Sequence, residues 1–219
     1  MSTGFVRRSR RSLVSGALAC GVGVVCAVWF ARPAESQSVE PVVRIEEDWL
    51  LVLNEPDGNA DSPQFHTVMA PFVGYDDYYA QVLWNYRETP GFTPGGVQLQ
   101  SYYGEHMTRS RSMEFSKLNT TAETIQWTQS LATDGLVLEF QVQNGQSITW
   151  GSFGKDMRIS SDANLPNLAG YSPDFSAQNS GVTFGSNRVD LMVITQVRKY
   201  GPSGLLSVDS TPRIVFELN

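Results

Sequence analysis

Two histidines, His66 and His106, are the chain's whole supply of imidazole, so acid–base or metal chemistry would fall mainly to carboxylates. The sequence holds no G-x-S-x-G nucleophile elbow, no H-E-x-x-H zinc helix and no phosphate-cradling glycine loop. His66 lies in a stretch of strand-like composition, where a hydrogen-bonded structural imidazole is the expected role. A glycosidase would need two carboxyl groups facing each other across a cleft, about 5–9.5 Å apart. Glu88, Glu123, Glu139 and Asp190 all fall in expected strands, yet no spacing brings any two of them together. No reaction is legible, and the paired-acid chemistry of a hydrolase is without support.

Binding chemistry has more candidates. Glu139, Gln141 and Gln143 alternate along the stretch 136–143 and share one face of a strand there. Such an amide–carboxylate row is ordinarily a solvated face, and it is also a set of groups that hydrogen-bond sugar hydroxyls well. "YDDYY", Tyr75 to Tyr79, places Tyr75 and Tyr78 beside two carboxylates, either as rings that stack on a ligand or as tyrosines turned inward around an Asp76-Asp77 turn. Phe92, between Pro90-Gly91 and Pro94-Gly95-Gly96, is a candidate exposed loop aromatic. Asp57, Asn59 and Asp61 in "DGNAD" put oxygen ligands at i, i+2 and i+4, as a calcium loop does. The loop departs from the EF-hand pattern: Ser62 replaces the glycine, and Val68 stands where the bidentate Glu belongs. An Asx-type turn is the ordinary reading, and calcium is the one cofactor the sequence raises.

The elements that position these residues are strands. Apolar residues alternate or come in short runs near 42–53, 65–73, 78–88, 96–103, 123–131, 136–143, 147–153, 189–199 and 212–218. Turn chemistry separates them at Glu55-Pro-Asp-Gly, Thr89 to Gly96, Asp134-Gly135, Asn144-Gly145 and Gly201-Pro-Ser-Gly. No window holds a sustained helical stripe, and 160–181 is the longest irregular stretch. The pattern predicts an all-β fold, an antiparallel β-sandwich or jelly roll. "LEFQVQNGQSITWGSFG" reads as a hairpin closing at Asn144-Gly145. Burial energy favours a bulged three-residue loop that sets Phe140 against Ile148 and Leu138 against Trp150, with Trp150 in the core.

The first 36 residues read as an export signal preceding one domain at 37–219. Arg7, Arg8, Arg10 and Arg11 form a basic head, the run 13–31 is apolar, and Ala34 and Ser36 are spaced for cleavage. An uncleaved membrane anchor is the alternative. "SRRSLV" partly resembles the twin-arginine export signal and departs from it at Leu13, Val14 and Ser15, so the general export route stands beside it. Both cysteines, Cys20 and Cys26, lie in this leader, which leaves 37–219 with no disulfide and no thiolate metal site. Residues 1–36 hold five of the 16 basic and one of the 22 acidic residues, so 37–219 keep 11 and 21, a net charge of −10. That charge repels phosphate backbones and makes nucleic acid an unsuitable partner.

The stretches "EEDWLLVLNEPD", "YAQVLWNYRE", "GGVQLQ", "NGQSITWGSFG" and "GYSPDFSAQNSGV" together resemble an uncharacterised family of exported bacterial β domains. The resemblance implies an architecture similar to the concanavalin A-like lectin/glucanase sandwich. It implies no catalytic residue, because the E-x-D-x-x-E signature of laminarinase-type hydrolases is absent. The expectation is a periplasmic or extracellular module that binds carbohydrate or another matrix or envelope component. A glycan-active hydrolase or lyase, and a purely structural envelope protein, are the alternatives. Fold analogy alone cannot choose among them.

Overall fold

A computed structural model describes residues 40–54, 63–85, 96–116, 118 and 122–218. The leader expected at 1–36, the loop of Asp57, Asn59 and Asp61, Glu88 and Phe92 lie outside the described residues. The described chain forms thirteen strands, one short α-helix and a single 3-10 turn at Ser186–Arg188. In order they are β1 (Arg44–Leu53), β2 (Gln64–Met69), β3 (Tyr78–Trp84), β4 (Val97–Tyr103), β5 (His106–Met113), β6 (Thr124–Thr133) and β7 (Val137–Ser147). There follow β8 (Gly151–Phe153), β9 (Met157–Asp162), α1 (Pro173–Gln178), β10 (Gly181–Phe184), β11 (Val189–Gly201), β12 (Gly204–Asp209) and β13 (Arg213–Glu217).

Two antiparallel sheets result. The larger runs β12-β11-β1-β6-β7-β8, with β13 also on β11 and β9 also on β7; the smaller runs β10-β2-β3-β4-β5. Side-chain alternation decides what each strand buries. Ile45, Trp49, Leu51 and Leu53 of β1 and Ile125, Trp127 and Leu131 of β6 face the interior, as do Leu138, Phe140 and Val142 of β7. Ala80, Val82 and Trp84 of β3, with Val97 and Leu99 of β4, meet them from the other sheet. Between β9 and β10 the stretch expected to be irregular holds α1, capped by the Ser172 hydroxyl accepting from Phe175 N and opened by Pro173 at its first turn.

The hairpin expected at Asn144-Gly145 does not form. β7 runs through both residues to Ser147, and the chain turns at Ile148-Thr149-Trp150 instead. Opposite Trp127 the register slips, because Gln126 pairs with Gln146 and Thr128 with Gln143. Asn144 takes up the extra residue of this bulge at φ 56°. Phe140 therefore pairs with Leu131 and Ile159, and Leu138 with Thr133 and Ser161. Two contacts outweigh the Asn-Gly turn preference. Buried Glu123 accepts from the Ser147 hydroxyl, from Thr149 N at 2.8 Å and from Thr149 Oγ1 at 2.6 Å, which satisfies the later turn. Phe153 then folds back onto Gly145, where a Cβ would lie 2.3 Å from its ring. Trp150 sits half-buried at the edge of the core, stacked 5.1 Å from Phe115 and donating Nε1 to Ser116 O at 2.7 Å.

Gly145→Ala should therefore lower stability by about 1–3 kcal/mol, the usual range for overpacking. Asn144→Gly, which relieves a positive φ, should change it by less than about 1 kcal/mol. Urea unfolding of the two variants checks both values.

Candidate functional site

Three groups of polar side chains stand out, and they differ in how completely they satisfy one another. The first is internal. Glu47 points into the core from β1 with no solvent exposure. It accepts from Trp49 Nε1 at 2.9 Å, from Gln129 Nε2 at 2.6 Å and from the Tyr171 hydroxyl. Burial pushes the Glu47 carboxyl above the usual carboxylate range, against the lowering effect of those donors. The same burial, with Glu47 beside it, holds the Tyr171 phenol well above its ordinary value. Sealed from solvent, this knot ties α1's preceding loop to the sheet and offers no place for a ligand.

The second group lies on the outer face of the larger sheet. Arg198 of β11 donates to Glu46 Oε2 at 2.9 Å, to Asp48 Oδ1 at 2.7 Å and to Gln196 Oε1 at 2.7 Å. Arg44 pairs with Glu46, and the Tyr200 hydroxyl donates to Glu46 Oε2 at 2.8 Å. Thr128 donates to Asp48 Oδ1 at 2.7 Å, and Gln143 Nε2 to Glu46 Oε1 at 3.2 Å. The network crosses four neighbouring strands, and both carboxylates end neutralised by arginine. The row anticipated on β7 belongs to this face. Gln143 is taken up by Glu46, while Glu139, part-exposed, sits 3.9 Å from Arg158. Gln141 and Gln143 line a shallow depression with Asn144, Gln146 and Lys155.

The third group lies on the outer face of the smaller sheet and is incomplete. The β3–β4 register sets Tyr79 opposite Tyr102, Gln81 opposite Gln100 and Leu83 opposite Gln98. The Tyr79 and Tyr102 rings stack 4.8 Å apart, parallel within 2°. The amides run in one direction: Gln81 Nε2 donates to Gln100 Oε1 at 2.6 Å, Gln100 Nε2 to Gln98 Oε1 at 2.6 Å, and Gln98 Nε2 to Ser112 Oγ at 3.0 Å. The Tyr102 hydroxyl also donates to Gln100 Oε1, at 2.7 Å. Among the described residues nothing donates to Gln81 Oε1, so the chain of amides ends in an open acceptor. That acceptor lies in a groove of about 430 Å³ lined by Gln64, Gln81, Leu83, Gln100, Tyr102 and Thr183, with exposed Phe184 on its β10 wall. His66 holds that wall, its Nε2 3.1 Å from Asn179 O and its Nδ1 3.4 Å from Thr183 Oγ1. Burial lowers the His66 pKa, opposed by the Asn179 carbonyl.

The sequence-derived candidates fall apart in space. Tyr75 joins the groove's face, edge-on to Tyr79 at 4.7 Å and 5.3 Å from Phe175. Tyr78 turns to the opposite side, against the core and 4.9 Å from Tyr103. Glu123 is committed to the turn after β7, Asp190 is exposed on β11, and no contact joins either to Glu139. Among the described residues no three His, Cys, Asp or Glu side chains gather as metal ligands. The groove residues Gln81, Gln100, Tyr102 and Phe184 were not anticipated. Alternation in "YYAQVLW" and "GGVQLQSYY" marks Gln81, Gln98 and Gln100 as outward-facing, but not as neighbours.

No protein-family model matches the chain, and no curated protein does. A solved structure of Scytalido-glutamic peptidase, crystallised with a peptide-based transition-state analogue, aligns with 78% of this chain and 82% of its own. The identity is 10% and the TM-score 0.31, a likeness that carries no argument.

The buried Glu47 has a consequence for stability. A folded-state pKa raised above the unfolded value of about 4.3 means that folding favours the protonated acid. Its contribution is then full below about pH 4 and is lost as pH rises through the raised folded value. Glu47→Gln, which cannot ionise, escapes this loss. Its stability relative to the parent should be higher at pH 7 than at pH 4, as read by urea unfolding at the two pH values.

Proposed function

We propose that the domain is an exported carbohydrate-binding module that takes a glycan along the groove of the smaller sheet. The observation that carries this reading is the open-ended amide chain, Gln81-Gln100-Gln98, beside the Tyr79–Tyr102 stack. Sugars present hydroxyls on their edges and C–H groups on their faces. Amides answer the first as paired donors and acceptors, while Leu83, Tyr102 and Phe184 answer the second with apolar and aromatic surface. A ligand hydroxyl donating to Gln81 Oε1 would complete the amide chain. None of the described residues lining the groove is a carboxylate, which favours binding over hydrolysis at this face.

Export belongs to the same proposal and rests on the basic and apolar pattern of residues 1–36. So does the finer description of the sandwich as jelly-roll-like or concanavalin A-like. The partner is then a glycan of the cell envelope or its surroundings.

A glycan array on the domain should return at least one bound structure. Gln81→Ala with Gln100→Ala, and separately Phe184→Ala, should each weaken that binding at least tenfold, about 1.4 kcal/mol. Glu139→Ala with Gln141→Ala should leave it unchanged. Loss only in the Glu139 and Gln141 variant would move the site to the larger sheet, and no bound glycan at all would overturn the proposal.

A further inference from the structure

At one end of the sandwich, sharing no lining residue with the glycan groove, an open, solvent-facing cavity of about 400 Å³ lies between β3, β4, β5 and β9. It is lined by Tyr78, Tyr103, Thr108, Arg109, Ser161 and Asp162. Each layer of the lining has its own chemistry.

The floor is a triangle of hydroxyls. Ser101 Oγ lies 2.9 Å from Thr108 Oγ1 and 2.8 Å from Ser161 Oγ, and Thr108 Oγ1 lies 3.0 Å from Ser161 Oγ. Thr108 also reaches Ser101 O at 3.0 Å. Three hydroxyls bring three protons to four contacts, so one contact goes without a proton. The three oxygens carry six lone pairs and share at most three protons, so acceptor capacity is left over, and two of them, Thr108 and Ser161, face the cavity. On the walls, Tyr78 and Tyr103 stand 4.9 Å apart at 51°, with Tyr103 half exposed. Aromatic faces attract cations. At the rim, Arg109 and Asp162 are both exposed, and among the described residues neither side chain is hydrogen-bonded or ion-paired.

We propose that this cavity binds a small zwitterion, a primary ammonium linked through a short chain to a carboxylate. The ammonium N–H groups donate to the spare lone pairs of the hydroxyl floor, next to Asp162 and the tyrosine faces. The carboxylate takes the Arg109 guanidinium, a charge-assisted pair. A simple cation would leave Arg109 unanswered and a simple anion would meet Asp162, so both charges on one molecule fit best. A quaternary ammonium brings no N–H to the floor and fits less well. This inference is independent of the glycan reading, because the two sites share no lining residue.

Isothermal titration of the whole domain with glycine, β-alanine and γ-aminobutyrate, against n-butylamine and butyrate, tests it. At least one amino acid should bind tenfold or more tightly than either singly charged compound. Arg109→Gln should erase the advantage over n-butylamine, and Asp162→Asn the advantage over butyrate, with thermal unfolding of both variants close to the parent's. Equal binding of singly charged and zwitterionic compounds, no binding of any amino acid, or full preference retained in both variants would overturn the proposal.

Discussion

Four aromatic rings hold the two sheets face to face. Trp49 and Trp127 are cross-strand partners in the larger sheet, stacked 5.6 Å apart and 8° from parallel. Phe65 and Trp84 are cross-strand partners in the smaller one, 5.5 Å apart at 7°. The two stacks meet where Trp84 packs on Trp127 at 4.5 Å and Phe65 on Trp127 at 5.9 Å. Residues 37–219 contain no cysteine, so no covalent staple helps them. The sandwich depends on burial, and these rings are among its largest fully buried side chains. Trp84 Nε1 donates to Thr67 Oγ1 at 3.1 Å and Trp49 Nε1 to Glu47 at 2.9 Å, so two of the three indoles bury their polar edge satisfied.

Because strand side chains alternate, fixing these rings inward fixes everything that faces outward. With Trp49 inside, Glu46 and Asp48 must lie on the outer face, where Arg198 of β11 collects both. With Trp84 inside, Leu83, Gln81 and Tyr79 must lie on the other outer face, opposite Gln98, Gln100 and Tyr102. One face closes its charges on itself, and the other ends in an amide oxygen that, among the described residues, receives no donor. The elements that carry both faces are ordinary strands, and the distinction lies wholly in who pairs with whom.

The sequence carried the parity of the strands well and their neighbours poorly. β1, β4, β6, β11 and β13 are legible because Ile, Val, Leu and Trp recur at every second position or in short runs. β5, "HMTRSRSM", was invisible, since an exposed edge strand buries almost nothing and shows no apolar period. β9, β10 and β12 were missed for similar reasons: they are short, and their polar residues read as loop. The Asn144-Gly145 dipeptide misled because a local turn preference is weaker than the packing of Phe153 on Gly145 and the hydrogen bonds of Glu123. Long-range pairing hid the groove as well. Gln81 and Gln100 are separated by a connection of more than ten residues, and the Phe184 wall comes from a strand that only the tertiary fold creates.

The indoles of opposite sheets, Trp84 and Trp127, hold each other in place. A double-mutant cycle on Trp84→Leu and Trp127→Leu, read by urea unfolding, tests it directly. A coupling energy of about 0.5–1.5 kcal/mol, the range for packed aromatic pairs, is the predicted result. Two substitutions whose effects simply add, within about 0.3 kcal/mol, would contradict it.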